Sequence, residues 1–164
     1  MNPDLEKIKK SVSFERTVVL VKPDGLQRGL IGEVISRFER KGLKLVALKM
    51  IQVDDTLLEA HYSHHVDKPF FKSLAEFMKS SPVVAMVLEG LEAVEVVRLL
   101  CGTTKPSAAV AGSIRGDFGM GLPANIVHSS DSVESAKEEI VRFFQQNEVF
   151  EYDKTEYLNI YFPD

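Results

Sequence analysis

The sequence has a single cysteine, no long apolar run and no excess of positive charge. Because Cys101 stands alone among 164 residues, no disulfide can form within the chain, which is compatible with a reducing compartment. No apolar run approaches the roughly 18 residues that a membrane-spanning helix needs. The start, MNPDLEKIKK, also lacks the apolar segment of a secretory signal. We therefore expect a cytoplasmic protein with no membrane partner.

The formal net charge of −4 argues against broad electrostatic capture of nucleic acid, so we expect no nucleic-acid partner. An anionic substrate would instead need locally gathered Lys and Arg side chains. Apolar residues make up 45% and charged residues 27% of the chain, as in ordinary globular domains, which excludes extensive disorder. The length fits one domain, and no repeat or linker divides residues 15–164. Residues 1–14 form a separate polar arm.

Hydrophobic patterning predicts four strands with helices between them. The strands are ERTVVLVK, LKLVALKMIQV, PVVAMVLEG and NIVH, and the last but one is apolar enough to be buried on both faces. The order of elements is strand, helix, strand, helices, strand, helix, strand. It predicts an α+β, ferredoxin-like (split βαβ) fold, in which a four-stranded antiparallel sheet is covered by helices.

Four local predictions accompany this fold. The residues PDG at 23–25 have turn chemistry, and residues 103–124 show no convincing periodicity. Asp131 and Glu134 have capping-box spacing at the start of the last long helix. The alternating tail TEYLNIYF, residues 155–162, is a candidate edge strand.

Three basic residues are candidates for holding an anion. Lys22 follows the first strand, where it is either a solvated residue or a point charge for phosphate. Arg98 lies late in a helix, where the helix dipole alone would favour a cation. Arg115 lies in the long irregular segment among small residues that let a ligand approach the backbone. Its RGD tripeptide suggests an integrin ligand only in a protein outside the cell.

The cluster HYSHH, residues 61–65, offers a weaker candidate. His61 and His65 could share a zinc ion on one helix, but no Glu lies between them and no further ligand follows, so we favour a core or surface helix. Tyr62 could point its phenol toward a cleft. Phe70 is more typical of a core than of a platform for stacking a base.

His128 ends the last strand, just before a helix N-terminus where donors and a positive dipole favour an anion. A histidine at a strand end is usually a satisfied polar residue, so its position alone does not decide its role. Ser130 offers a nearby hydroxyl. At 100° per residue, Glu138 lies opposite the buried face of the following helix and Glu139 at its edge. Glu139 is therefore the better partner to fix the tautomer of His128 and leave one ring nitrogen free to attack.

These segments together resemble nucleoside diphosphate kinases from about Glu15 to the end of the chain. The resemblance is carried, in order, by ERTVVLVKPDG, QRGLIGEVISRFERKG, HY followed by KPFF, PVVAMVLEG, SIRGDF and NIVHSSDSVESAKEEI. It implies the ferredoxin-like fold already predicted. It also implies transfer of the terminal phosphate of a nucleoside triphosphate to a histidine and then to a nucleoside diphosphate.

The resemblance assigns each candidate a role. His128 takes the place of the nucleophile, Glu139 that of the carboxylate orienting it, and Ser130 that of a hydroxyl near the phosphate. Phe70 and Leu122 take the positions that sandwich the base, and Mg²⁺ is carried by the nucleotide with no direct protein ligand. The residues that hold phosphates and sugar are Lys22, Tyr62, Arg98, Thr104, Arg115 and Asn125.

The chain departs from the family pattern at Pro123 and Ala124, where Gly-Arg is usual, and at Ser129, where Gly or Ala is common. The resemblance implies a homo-oligomer, and the long C-terminal segment favours a hexamer over a tetramer. Residues 104–113 match a loop at the family's trimer contact. A catalytically idle nucleotide-binding or interaction module of the same fold is the alternative. A nucleic-acid-binding domain ranks third, because the net charge is acidic and the strands lack paired aromatic residues.

Overall fold

The four predicted strands form one antiparallel sheet in this computed structural model, which describes Lys7 and residues 13–161. Their order across the sheet is β2-β3-β1-β4, the ferredoxin-like arrangement that the sequence predicts. Most of the predicted arm, residues 1–14, lies outside the described residues. The strands are β1 Phe14–Val21, β2 Lys44–Ile51, β3 Val83–Leu91 and β4 Val127–Ser129.

Helices cover both faces of this sheet. They are α1 Pro23–Gln27, α2 Ile31–Arg40, α3 Asp55–His61, α4 Phe71–Lys79, α5 Ala93–Cys101, α6 Ile114–Phe118, α7 Val133–Phe143 and α8 Tyr157–Ile160, with 3₁₀ turns at Ser63–His65, Pro106–Ala108 and Gln146–Glu148. Within the described part of the chain, none of the helices is long and apolar enough to cross a bilayer.

The two faces of the sheet bury separate sets of side chains because successive residues of a strand point to opposite sides. On one face Val19 packs with Phe38 of α2 and Val97 of α5. On the other face Leu20 packs with Phe143 of α7. Strand β3 lies between β1 and β2 and is buried on both faces, as its unbroken apolar run predicts.

Two local predictions at helix starts are wrong. The residues PDG begin helix α1 and do not form a simple turn, because Pro23 occupies the first turn, where its missing N–H costs no hydrogen bond. Helix α7 is capped by Ser132, whose hydroxyl accepts a hydrogen bond from the Ser135 N–H at 3.0 Å. The N-cap therefore lies one residue after the predicted Asp131, and the predicted capping box with Glu134 does not form.

The tail and the irregular segment also differ from the prediction. The tail forms helix α8 where an edge strand was expected, because Tyr157 turns inward and its hydroxyl donates to the Glu89 carbonyl at 3.1 Å. Its ring packs 5.3 Å from that of Phe14. Residues 103–124, which lack periodicity, contain the short helix α6 and a 3₁₀ turn.

A buried ion pair joins the edge strand β2 to the central strand β3. The Lys44 ammonium on β2 is fully buried and donates to Glu89 Oε1 on β3 at 3.0 Å, while Arg16 on β1 donates to Glu89 Oε2 at 2.8 Å. Burial alone would raise the pKa of Glu89, but these two hydrogen bonds outweigh it and hold the pKa below its usual value. Glu89 therefore links three adjacent strands.

We expect Glu89→Leu to lower the free energy of unfolding by about 3–5 kcal/mol, because it leaves the Lys44 ammonium buried without its carboxylate. The double variant Lys44→Met with Glu89→Leu should recover most of that loss, since both charges are then gone. Equilibrium urea unfolding of the wild type, both single variants and the double variant forms a double-mutant cycle, which gives the interaction energy of Lys44 with Glu89. A cost below about 1 kcal/mol for Glu89→Leu would place this pair with exposed ion pairs and contradict the prediction.

Candidate active site

A cleft of about 1280 Å³ opens where β1 ends and β4 begins. Among the candidates from the sequence, Ser130 lies fully buried behind this cleft. The others all line it: Lys22, Tyr62, Phe70, Arg98, Thr104, Arg115, Leu122, Asn125, His128 and Glu139. The fold thus brings together side chains from both ends of the sequence.

A tight turn before β4 shapes the floor of the cleft. Ile126 has a φ of 71°, a left-handed conformation that β-branched residues rarely adopt. The Val127 N–H donates to the Asn125 carbonyl at 2.8 Å and so closes a three-residue turn around Ile126. Two contacts hold the strained residue: its N–H donates to Asp24 Oδ2 at 2.9 Å, and its carbonyl accepts from the Lys22 N–H at 2.8 Å. The segment around Lys22 and the segment before β4 are therefore fixed to each other.

His128 is held by a carboxylate from the neighbouring helix. Its Nε2 lies 3.0 Å from Glu139 Oε1 on α7, and Glu139 is largely buried, so the contact expected from helix phase is present. The Ser130 hydroxyl donates to Glu139 Oε2 at 2.6 Å and accepts from the Val18 N–H of β1 at 3.1 Å. Because a carboxylate accepts from Nε2–H, the proton of the neutral ring is held there. The ring lines the cleft, and Nδ1 keeps its lone pair.

Lys22 is buried at the end of β1 with its charge only partly compensated. Its ammonium donates to Asn125 Oδ1 at 2.7 Å and lies 3.4 Å from the Pro123 carbonyl. Burial, with a smaller contribution from the nearby Arg115 guanidinium, lowers the pKa of Lys22 to about 8, against the opposing effect of Asp24. A negatively charged ligand in the cleft would favour the protonated form.

Arg115 lies in the first turn of α6 and is anchored by backbone carbonyls. Its guanidinium donates to the Gly102 carbonyl at 2.5 Å and to the Val127 carbonyl at 2.8 Å. Its Nε finds no hydrogen-bond partner among the described residues. Burial, with repulsion from Arg98, lowers the pKa of Arg115, although the group stays protonated at any physiological pH.

Helix α6 is held in place from the other side by α2. The Arg37 guanidinium lies 2.7 Å from Asp117 and 4.7 Å from the centre of the Phe118 ring. The Asp117 carboxylate accepts from the Gly112 N–H at 2.7 Å. These contacts fix the irregular segment that carries Arg115 into the cleft.

The cleft is more basic than the molecule as a whole. Lys22 and Arg115 are buried in it and Arg98 and Arg142 also line it, whereas three of the four carboxylates that line it, those of Glu95, Asp131 and Glu138, are exposed. The net charge of the chain, by contrast, is −4. None of the ion pairs found among the described residues neutralises Lys22, Arg98 or Arg115. Such a concentration of positive charge favours an anionic ligand with several oxygens.

Large apolar side chains lie at the outer part of the cleft. Phe70 is 48% exposed and Leu122 60% exposed, which is unusual for residues of their size. Asn125 donates from Nδ2 to the Thr104 carbonyl at 2.9 Å and so ties the loop after α5 to the floor of the cleft. The cleft therefore has an apolar mouth and a basic interior, an arrangement that suits a ligand with a flat ring and a phosphate chain.

His61 and Arg142 also line this cleft, and the sequence patterns predicted neither residue there. The less favoured alternative, in which His61 and His65 share a zinc ion on one helix, does not fit because α3 ends at His61. The His61 ring instead packs edge-on against His128, with ring centres 4.5 Å apart. Burial, and then the proximity of His128, lower the pKa of His61 to about 2, so it is neutral. Arg142 lies three residues after Glu139 on α7, and this helical spacing could have identified it.

The comparisons with known proteins agree on one family. The sequence pattern described as nucleoside diphosphate kinase matches residues 15–149. The nucleoside diphosphate kinase of Archaeoglobus fulgidus is 53% identical over 143 residues, which cover 87% of this chain and 95% of that protein. The one from Saccharomyces cerevisiae is 49% identical over 151 residues, which cover 92% of this chain and 99% of that protein.

Two solved structures resemble the fold described above. A halophilic nucleoside diphosphate kinase from Halobacterium salinarum in complex with CDP has a TM-score of 0.88 and 45% identity, and the match covers 91% of this chain and 99% of that one. A transition-state mimic of the Borrelia burgdorferi enzyme with bound vanadate and ADP has a TM-score of 0.83 and 41% identity, covering 89% and 96%.

The buried Lys22 should make the free energy of unfolding depend on pH. Because its pKa is about 8 in the folded protein and 10.5 when unperturbed, the unfolded chain binds more protons between these values. We therefore expect the free energy of unfolding to rise with pH across that window, and Lys22→Met to lose this contribution. Urea unfolding at a series of pH values measures it, and side-chain ¹³C NMR should show the Lys22 signal titrating near pH 8. If that signal moves only near 10.5, the buried-ammonium description is wrong.

Proposed function

This chain belongs to the nucleoside diphosphate kinase family, and on that basis we propose that His128 carries the phosphate between its two nucleotides. The chain is an enzyme that transfers the terminal phosphate of a nucleoside triphosphate to a nucleoside diphosphate. One observation supports the role of His128 above others. Its Nε2 is hydrogen-bonded to Glu139, so Nδ1 remains as the nucleophile on a ring that lines the cleft.

In the first half-reaction, the Nδ1 lone pair of His128 attacks the terminal phosphorus. The bond from that phosphorus to the bridging oxygen breaks, and its electron pair leaves with the nucleoside diphosphate. As the N–P bond forms, positive charge develops on the ring, and the Glu139 carboxylate stabilises it through Nε2–H. Ser130 orients that carboxylate. The second half-reaction is the reverse, with a different diphosphate as acceptor, so the kinetics are ping-pong.

The basic side chains neutralise the oxygens of the moving phosphate. Phosphoryl transfer requires little of a protein beyond an aligned nucleophile and stabilised charge, and Lys22, Arg98 and Arg115 provide the charge. We propose that these three residues, together with Tyr62, Thr104 and Asn125, hold the phosphates and the sugar. All of these residues line the same cleft.

Mg²⁺ fits this site as an ion carried by the nucleotide. Of the described His, Cys, Asp and Glu residues, only His61, His128 and Glu139 cluster closely enough to hold an ion, and this set is rich in nitrogen, whereas Mg²⁺ prefers oxygen. Carried by the nucleotide, the ion would neutralise part of the phosphate charge. We therefore propose no direct protein ligand for it.

The base is held by stacking between Phe70 and Leu122 at the mouth of the cleft. Stacking depends on the shape of the ring and makes no use of the hydrogen-bonding groups on its edge. We therefore propose that the enzyme accepts purine and pyrimidine nucleotides, with ribose or deoxyribose. The exposure of both apolar side chains supports this role.

We propose that residues 15–164 form the catalytic domain, with residues 1–14 as an arm outside it. The matched range, residues 15–149, supports the first boundary. The only cysteine, Cys101, is a buried free thiol, and burial raises its pKa to about 11, which makes it unreactive. A chain that relies on no disulfide suits the cytoplasm, where we place the enzyme.

We propose that the chain assembles as a homo-oligomer, with a hexamer favoured over a tetramer. Strand β2 lies at an edge of the sheet, and its Leu48 and Met50 are 49% and 58% exposed. Unpaired strand edges with apolar side chains readily pair with another chain. Val110 and Met120, in the segment around α6, are 72% and 84% exposed and offer a second apolar surface. Two separate surfaces are what an assembly larger than a dimer needs.

The alternative is a relative that binds nucleotides without transferring phosphate. All the candidate residues line or support one cleft, and His128 has its orienting carboxylate, which favours activity. A nucleic-acid-binding role is less well supported because the acidic net charge opposes it.

Incubation with γ-labelled ATP should place one phosphate on each chain, stable to base and labile to acid, as a phosphohistidine is. The label should leave on addition of any nucleoside diphosphate. His128→Ala should not be labelled, whereas His64→Ala, which removes an exposed histidine on the same side of the cleft, should be labelled like the wild type.

Glu139→Gln should still be labelled but more slowly, with the loss falling on kcat, because the amide cannot stabilise the positive ring as well. General acid–base and charge effects of this kind contribute about 10²–10⁴-fold. If His128→Ala labels as well as the wild type, the histidine mechanism fails. If the wild type binds nucleotide but is never labelled, the idle-module alternative is correct.

Light scattering should give a mass of about six times the 18.3 kDa chain. Leu48→Lys with Met50→Lys should reduce that mass, because charges on the edge of β2 oppose pairing. Val141→Lys adds a charge at a more exposed apolar position, on α7, and serves as the control. A monomer in the wild type would contradict the assembly, and an unchanged mass in the double variant would contradict the use of β2.

A further inference from the structure

Three potential metal ligands meet behind the proposed nucleophile. Glu139 Oε1 lies 3.0 Å from His128 Nε2 and 3.7 Å from His61 Nδ1, and the ligand atoms of the three residues all lie within 4.8 Å of one another. Zinc binds histidine nitrogen and carboxylate oxygen at about 2.0–2.2 Å, so neighbouring ligands in a tetrahedral site are roughly 3.3 Å apart. The two distances from Glu139 Oε1, 3.0 and 3.7 Å, lie on either side of that value.

We propose that His61, His128 and Glu139 form an inhibitory site for zinc-like transition-metal ions. Three protein ligands leave one position for water, the coordination common in open zinc sites. His61 and Glu139 are largely buried, but both line the cleft, which gives an ion a path to them. The effect on activity rests on the proposed function of His128, whereas binding of the ion does not.

The inhibition follows from the two nitrogens of one ring. In the free enzyme His128 keeps its proton on Nε2, bonded to Glu139, and attacks with Nδ1. A metal ion bound at Nε2 replaces that proton, and the neutral ring then carries its proton on Nδ1. Nδ1 loses its available lone pair and cannot attack phosphorus. The ion thus stops the reaction from the side of the ring opposite to the nucleotide.

Ligand chemistry separates this ion from the Mg²⁺ that accompanies the nucleotide. Two imidazoles and one carboxylate suit zinc, cobalt and copper, whereas Mg²⁺ prefers oxygen ligands and retains its water. Millimolar Mg²⁺ in the assay should therefore not compete. Selectivity at this site comes from His61, which provides the second nitrogen.

Nearby positive charge opposes the ion and sets its affinity. Arg142 donates to His61 Nδ1 at 3.4 Å, so the ion must displace it, and Lys22 also repels charge at His61. The Arg142 side chain is 22% exposed and lies 3.9 Å from Glu138 on the surface of α7, which offers it an outward partner. Removing Arg142 should therefore strengthen metal binding, an effect opposite to that of removing a ligand.

The test is Co²⁺ binding to the whole, nucleotide-free protein, followed by visible absorption. We expect one Co²⁺ per chain, with the intense bands of a four-coordinate ion, and displacement by Zn²⁺. His61→Phe keeps a ring of similar size between Tyr62, His128 and Phe143 but removes the ligand nitrogen. Since losing even a supporting partner of a metal ligand weakens binding by about 10–100-fold, His61→Phe should lose at least that much.

Two further variants make the test specific. Arg142→Leu should bind Co²⁺ more tightly than the wild type. His64→Gln removes an exposed histidine near the cleft and should bind like the wild type, which excludes a surface site in the HYSHH segment. If His64→Gln abolishes binding, or His61→Phe does not weaken it, the proposed ligand set is wrong.

Activity provides the second readout. With free Zn²⁺ buffered and Mg²⁺ in excess, Zn²⁺ should lower kcat without raising KM, and His61→Phe should resist inhibition relative to its own metal-free rate. Inhibition that disappears at high nucleotide would place the ion among the phosphates and overturn the proposal. A protein that forms phosphohistidine but binds no Co²⁺ refutes this site and keeps the proposed function. A protein that binds Co²⁺ at His61 but never forms phosphohistidine keeps the metal site and refutes the proposed function.

Discussion

The Glu139 carboxylate is the group on which the candidate site depends. One oxygen accepts from His128 Nε2 at 3.0 Å and the other from the Ser130 hydroxyl at 2.6 Å, and that hydroxyl accepts in turn from the Val18 N–H. A single side chain therefore joins helix α7, strand β4 and the central strand β1. Because Glu139 and Ser130 are buried, breaking the hydrogen bond between them leaves a polar group without a partner, which costs about 1–3 kcal/mol. The same hydrogen bonds thus orient His128 and stabilise the local fold.

Charge is distributed to serve this arrangement. The chain is acidic overall, yet it concentrates cations in one cleft and buries Lys22 and Arg115 there. Burial lowers the pKa of both groups, a free-energy cost that the folded protein bears without a ligand. A bound polyphosphate removes that cost by supplying negative charge. The strained turn at Ile126 belongs to the same pattern, because its carbonyl and N–H hold the backbone around Lys22 and Asp24 in place.

Local sequence patterns predicted most of the fold and the contact between Glu139 and His128, whereas most other site residues were assigned only by the family resemblance. Strand β3 was recognisable because both of its faces are apolar, and Glu139 could be chosen over Glu138 because the phase of α7 fixes which side chain lies at the edge of the core. The predictions failed where distant contacts decide the local structure. The tail alternates like a strand, yet Tyr157 reaches the Glu89 carbonyl, and a helix satisfies that contact. The position of His61 beside His128 depends on how α3 meets β4, which no periodicity within either segment reveals.

His61 explains why a site that binds anions would also bind transition-metal cations. A neutral imidazole packs against His128 without adding a charge that would compete for Glu139, and burial keeps it neutral by lowering its pKa to about 2. The same neutrality leaves its nitrogen lone pair available at every physiological pH. A phenyl ring would fill the same space without offering a nitrogen to a metal ion, so packing alone does not explain why residue 61 is a histidine. Arg142, 3.4 Å from Nδ1, opposes metal binding by placing a fixed positive charge where an ion would bind. His61 favours and Arg142 opposes binding of a transition-metal ion beside His128. These two side chains, more than His128 and Glu139, then set the affinity of the site for the ion.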